Sequence, residues 1–143
     1  MKNRKKGFSL VELLIVLAVI AALIATITPV ALNAIRKSKA TQVAQNLKTL
    51  ASSIENKAYV DGGKAAIGES TTPTTEMTNL KSFVRDLNDS HYKAYYDYSG
   101  DGAYTITITY VGGDVDEKMV VGMLQNATTT ADGIEYKFFF ATY

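Results

Sequence analysis

One segment limits what this chain can become. From Phe8 to Leu32 the only ionisable side chain is Glu12, and the thirteen residues from Leu13 to Ala25 carry no polar side chain at all. As a helix, a segment of this length reaches ~37 Å, more than the ~30 Å hydrocarbon core of a bilayer. A soluble helix that is apolar all round needs burial inside a large protein. The rest of a 143-residue chain is too short to wrap it. The segment is therefore expected in a bilayer or inside an assembly of many copies.

Charge is distributed to match. Lys2, Arg4, Lys5 and Lys6 precede the apolar run, and residues 8–59 keep a small basic excess. Residues 60–143 hold six basic and twelve acidic side chains. Basic residues flanking a membrane span stay on the cytoplasmic side, which orients the N-terminus inward and the acidic part outward. An acidic outer part argues against nucleic acid as a main partner, because phosphate repels it. There is no cysteine, which excludes thiol chemistry, thiolate metal sites and a disulfide framework.

Helical spacing continues past Pro29. Val43, Leu47, Leu50 and Ile54 fall on one stripe, so a long helix is predicted from about residue 8 to about residue 58, apolar in its first half and amphipathic in its second. Pro29 removes one backbone hydrogen bond, and a kink or loosened turn is expected there. Asp61-Gly62-Gly63 ends the helix, and the Thr-rich stretch 62–76 is predicted as an exposed loop. Thr78 can cap a short helix carrying Leu80, Phe83, Val84 and Leu87. The period then becomes two. Runs around Tyr92–Tyr98 and Tyr104–Tyr110, joined by Ser99-Gly100-Asp101-Gly102, predict a β-hairpin. Residues 116–124 suit either a strand or a short helix, and 134–141 predict a last strand. The Val43–Ile54 stripe can cover the inward faces of these strands.

Glu12 is the residue that needs explaining. A carboxylate inside a spanning helix costs about 2.5–3.5 kcal/mol on insertion scales. The apolar run offers it no Lys, Arg or His partner. If the chain is cut between Gly7 and Phe8, the new α-amino group of Phe8 supplies one: that ammonium on one copy and Glu12 on the next can neutralise each other. Such a pair forms only on assembly and sets the axial offset between copies.

Gly7-Phe8-Ser9-Leu10-Val11-Glu12, behind a short basic leader and ahead of some twenty apolar residues, resembles the prepilin processing motif of type IV pilins and type II secretion pseudopilins. The resemblance covers residues 1–30 and extends in pattern to about residue 58. It implies that a membrane-embedded prepilin peptidase removes the leader, residues 1–7, and methylates the amine of Phe8. It implies that Glu12 is the register acid and that Pro29 matches a proline of the family's helix. The implied fold is α+β and lollipop-like: a long N-terminal helix, 8–58, with 8–32 as transmembrane segment and filament core, packed on an antiparallel sheet of about four strands in a head spanning 59–143. The chain departs from the family pattern in having Ala21 and Ala22 where many members carry a glycine, and in lacking a disulfide.

The role the resemblance implies is structural rather than enzymatic. The chain is expected in the bacterial cytoplasmic membrane first, then in a surface filament made of other copies of itself and used for adhesion, motility or surface contact. Its other partners are then membrane lipid, the peptidase, and an assembly platform with its ATPase, since the chain has no phosphate-binding loop of its own. A pseudopilin of a type II secretion system or a DNA-uptake competence pilus is the alternative, and a single-pass membrane-anchored receptor or adhesin domain is a second. No cofactor is expected. Asp97, Ser99 and Asp101 match the start of an oxygen-ligand calcium loop, but Ile108 stands where the full motif wants Glu, and a hairpin turn is the default reading. His91 is the only histidine and is expected in a surface turn. Asn126-Ala127-Thr128 fits a glycosylation acceptor triplet, and the Thr clusters at 71–75 and 128–130 are expected in solvated loops.

Overall fold

The computed structural model describes residues 7–88 and 90–142. The basic leader residues Lys2, Arg4, Lys5 and Lys6 lie outside the described residues. The chain divides into two compact units, one ending at Ile35 and the other beginning at Arg36.

Helix α1 (Leu10–Asp61) contributes to both units and contains Pro29 without interruption. In the first unit every residue from Gly7 to Ile35 is exposed. In the second, α1 buries a stripe of Ala40, Val43, Ala44, Leu47, Leu50, Ala51, Ile54 and Ala58. This contains the four residues whose spacing predicted it. The alanines interleaved with them leave room for large side chains opposite.

Those side chains come from an antiparallel sheet of five strands, β1 (Thr75–Glu76), β2 (Tyr92–Tyr98), β3 (Ala103–Tyr110), β4 (Ala127–Thr130) and β5 (Gly133–Ala141), in the order β1-β2-β3-β5-β4. Their inward residues alternate as the period of two requires: Tyr92, Ala94 and Tyr96 on β2, Tyr104, Ile106, Ile108 and Tyr110 on β3, and Ile134 and Phe140 on β5 are all buried. Aromatic side chains pair across strands. Tyr98 stacks on Tyr104 at 4.9 Å between ring centroids, and Tyr104 on Phe140 at 5.6 Å.

The sheet has five strands rather than about four; β2, β3 and β5 match expected runs, and the two that no run announced, β1 and β4, are short edges. Thr128–Thr130, expected in a loop, lie in β4: their side chains stay largely outside, so no apolar alternation announces the strand, yet branched Thr suits extended backbone. Thr75 and Glu76 form the two-residue edge β1 in the expected loop 62–76, which also holds the one-turn helix α2 (Gly63–Ala66). The helix expected after Thr78 is only a 3₁₀ turn, Leu80–Ser82; Asn79, in a left-handed conformation, occupies its cap position without a side-chain cap bond. Residues 116–124 resolve as helix α3 (Glu117–Met123), because Asp116 caps it by accepting from the Met119 N–H at 3.3 Å.

Without a disulfide, the end of the sheet is held by pairing. β5 lies between β3 and β4 and pairs with β3 from Ala103↔Ala141 to Tyr110↔Ile134. Beyond it, the Thr142 N–H donates to the Gly102 carbonyl at 2.8 Å. Gly102 has φ +88°, and a Cβ there would stand 2.2 Å from the Thr142 carbonyl oxygen, so the turn that carries this tie requires glycine.

Candidate functional site

Gly7 and Phe8 precede the first helical turn, outside regular structure. Nothing lies within 4 Å of where a Gly7 side chain would begin, and Phe8 is 86% exposed. The peptide bond between them is thus an exposed, non-helical bond two residues ahead of α1.

The next residues build a reciprocal helix cap. Ser9 Oγ accepts from the Glu12 N–H at 3.2 Å, and Glu12 Oε2 accepts from the Ser9 N–H at 3.0 Å. The Leu13 N–H donates to the Ser9 carbonyl at 3.1 Å and closes the first turn. This capping box satisfies two backbone donors that a helix start otherwise leaves open, and it sets the carboxylate at the positive end of the helix dipole. Glu12 therefore has a partner in its own chain, a backbone N–H rather than a basic side chain. The signal was available in the spacing Ser9-x-x-Glu12. The N–H that Glu12 holds is one residue along the chain from the Phe8 nitrogen.

Farther along the same unit, Thr26 Oγ1 donates to the Leu23 carbonyl at 2.9 Å and Thr28 Oγ1 to the Ile24 carbonyl at 2.7 Å, just before Pro29. Turning inward on their own helix lets both hydroxyls sit in an apolar segment. α1 is long and apolar enough to cross a membrane.

The residues of the suspected calcium loop, Asp97, Ser99 and Asp101, make backbone hydrogen bonds in and beside the hairpin. The Asp97 carboxylate accepts from the Thr74 N–H, and Asp101 Oδ1 accepts from the Ala103 N–H at 3.2 Å. The Ser99 N–H donates to the Ala103 carbonyl at 3.1 Å, closing the hairpin. Asp97 lines a cleft of about 640 Å³ with Lys93, Tyr95, Thr107 and Lys137. Asp101 lines another cavity, beside Asp61, Lys64 and Tyr98. Among the described residues no three or more His, Asp or Glu side chains gather into a metal-binding group.

His91, the sole histidine, lies in a turn and sets its ring edge-on to Tyr110, 6.1 Å between centroids. Around it, Tyr110 donates its hydroxyl to Asp114, and Lys39 Nζ stands 3.7 Å from Asp114 Oδ2. The Tyr110 hydroxyl bond holds the Asp114 carboxyl below its ordinary range, and Lys39 adds to this. Burial, then the Asp114 hydrogen bond, pushes the Tyr110 phenol up. Sequence reasoning missed this group because Lys39, on α1, and His91, in the turn before β2, lie far along the chain from Tyr110 and Asp114.

The chain matches the family model of the prokaryotic N-terminal methylation motif over residues 2–28. No solved structure matches it. The chain thus carries the type IV prepilin-like signal, on an α+β chain whose long helix packs on an antiparallel sheet. These features support a type IV pilin-like or pseudopilin-like protein, and the signal and apolar helix are consistent with membrane anchoring before assembly.

Proposed function

We propose that this chain is the major structural subunit of a type IV pilus, without enzymatic activity. A prepilin peptidase cuts between Gly7 and Phe8 and methylates the Phe8 amine. The mature subunit waits in the membrane and is drawn by an ATP-driven platform into a helical filament that serves adhesion, motility or surface contact. The observation that carries this reading is Glu12: an acid capping the otherwise apolar, exposed first half of α1, one turn beyond an accessible Gly7–Phe8 bond. In the filament the Phe8 ammonium of a neighbouring copy meets that carboxylate, and the exposed apolar halves of α1 bury one another.

The test is the intact mass of the cell-surface form together with the composition of sheared filaments. A chain beginning at Phe8 with one added methyl, dominant in the sheared fraction, is expected. A surface form that still begins at Met1, or that occurs only as monomer, would overturn the proposal. A correctly processed chain confined to short, secretion-linked assemblies would instead assign it to the pseudopilins.

A further inference from the structure

Pro29 has no N–H, so the main-chain donor that would close a helical turn onto the Ala25 carbonyl is absent. In hydrocarbon such a carbonyl must find another donor, because no water is there to supply one. The side-chain donors between Phe8 and Ile35 are Ser9, Thr26, Thr28 and Asn33. Thr26 and Thr28 are committed to the Leu23 and Ile24 carbonyls, and Ser9 lies at the far end of the segment. Asn33 is exposed and makes no hydrogen bond among the described residues, so both of its amide donors are open.

Donor and acceptor lie on one face. The Ala25 carbonyl opens toward Pro29, four residues on, and Asn33 is four residues beyond that. Yet they cannot meet within one helix, where eight residues separate them by about 12 Å. Two copies of the chain can bring them together.

We propose that the Asn33 side-chain amide of one copy donates to the Ala25 carbonyl of a neighbouring copy, staggering the two helices by eight residues. This rests on the filament reading above and names a second polar register within it. The Glu12–Phe8 pairing shifts copies the same way along the axis, by about 6 Å, so the new contact falls at about twice that step. Ala21, Ala22 and Ala25 carry only methyl groups around the acceptor, so a second helix can approach its backbone closely. In a membrane, Asn33 lies close to Arg36 and Lys37 at the end of the apolar run, while Ala25 lies about 12 Å farther in. Copies side by side at equal depth leave the carbonyl without its donor; a copy raised during extraction brings its Ala25 level with a neighbour's Asn33.

The chain has no cysteine, which makes a direct test clean. In the full-length double variant Ala25→Cys/Asn33→Cys, a disulfide within one chain is impossible, since bridged Cα atoms lie within about 7 Å. Oxidation of assembled filaments is expected to give a ladder of dimers, trimers and larger species on a non-reducing gel, with each single variant staying monomeric. Filaments of the double variant that remain monomeric on oxidation would overturn the stagger. So would single variants that dimerise as readily as the double one. If the double variant does not assemble while the parent chain does, Asn33→Leu decides: filament yield reduced roughly threefold or more, with Asn33→Gln near the parent level, supports the contact, and parent-level yield from Asn33→Leu ends it. Failure of the parent chain to form any filament would defeat the filament reading itself, a result distinct from these.

Discussion

Ser9 and Glu12 exchange hydrogen bonds across the first turn of α1, each side chain accepting from the other's backbone N–H, at 3.2 and 3.0 Å. Two properties of Glu12 are thereby separable, its acceptor oxygen and its charge. Glutamine keeps a carbonyl oxygen at the same reach and preserves the capping box, but it cannot neutralise an ammonium. Glu12→Gln is expected to insert and be cleaved normally, to retain amide-exchange protection in the first turn, and to give little or no filament. Glu12→Ala is expected to lose both protection and filament. Parent-level filament yield from the glutamine variant would show that capping alone suffices and would remove the interchain ion pair.

Ser9→Ala addresses the other half of the box. It removes the acceptor for the Glu12 N–H and should cost about 1 kcal/mol of helix-start stability. Hydrogen exchange on the detergent-solubilised chain should show faster exchange at Glu12, with residues beyond Ala18 unchanged. Because the carboxylate remains, filament yield should fall far less than in Glu12→Gln.

Gly100 and Gly102 share one hairpin and one backbone hand, φ +87° and +88°, but only Gly102 faces an obstacle, the Thr142 carbonyl oxygen at 2.2 Å from a built Cβ. Gly100→Ala should cost about 1–2 kcal/mol, the left-handed penalty alone. Gly102→Ala adds a steric clash and the displacement of the tie between Thr142 and the hairpin, so its thermal midpoint should fall clearly further. Equal losses in the two variants would mean that the tie contributes nothing.

Much of this was legible in the chain because the signals were long. The Val43–Ile54 stripe, the Tyr/Ile alternation of β3 and the unbroken apolar run each repeat one pattern over several turns or pairs. What escaped was short or held in place from a distance. β4 carries threonines on its exposed positions and is specified by its register with β5, Ala127↔Tyr136 to Thr130↔Gly133, rather than by its own apolar pattern. β1 has only two residues and is set by pairing with Tyr95 and Tyr96. At the site, the acid and the bond ahead of it stood out in the sequence. The capping box stood there too, in the spacing of Ser9 and Glu12, but its partner is a backbone N–H, which no charged residue type announces.

The Lys39–Asp114–Tyr110 group gives the folded second unit a pH signature. The Asp114 carboxyl is lowered by the Tyr110 hydroxyl. Its contribution is therefore present above the ordinary carboxylate pKa of about 4 and lost as pH falls through the lower folded value. Tyr110 is raised, so between the unfolded phenol pKa, about 10, and the folded one, stability declines with rising pH. Urea titrations of the parent chain and Asp114→Asn should give midpoints that differ at pH 7 and converge as pH falls below about 4. Tyr110→Phe should lose part of the alkaline decline. A pH-independent gap between the parent and Asp114→Asn would place the contribution of Asp114 elsewhere.

Calcium can be tested on the hairpin directly. Asp97 and Asp101 already accept backbone N–H groups, from Thr74 and Ala103, and line different cavities. A cation bound only by the folded state raises its melting midpoint by mass action. Here a cation would have to draw together two carboxylates that line different cavities, with Ile108 where a calcium loop supplies its bidentate acid. Millimolar calcium is expected to leave the melting midpoint of the full chain where chelator leaves it. A rise of several degrees, abolished in both Asp97→Ala and Asp101→Ala, would establish a cation site in the hairpin and move the functional assignment from the pilus toward a secretion pseudopilus.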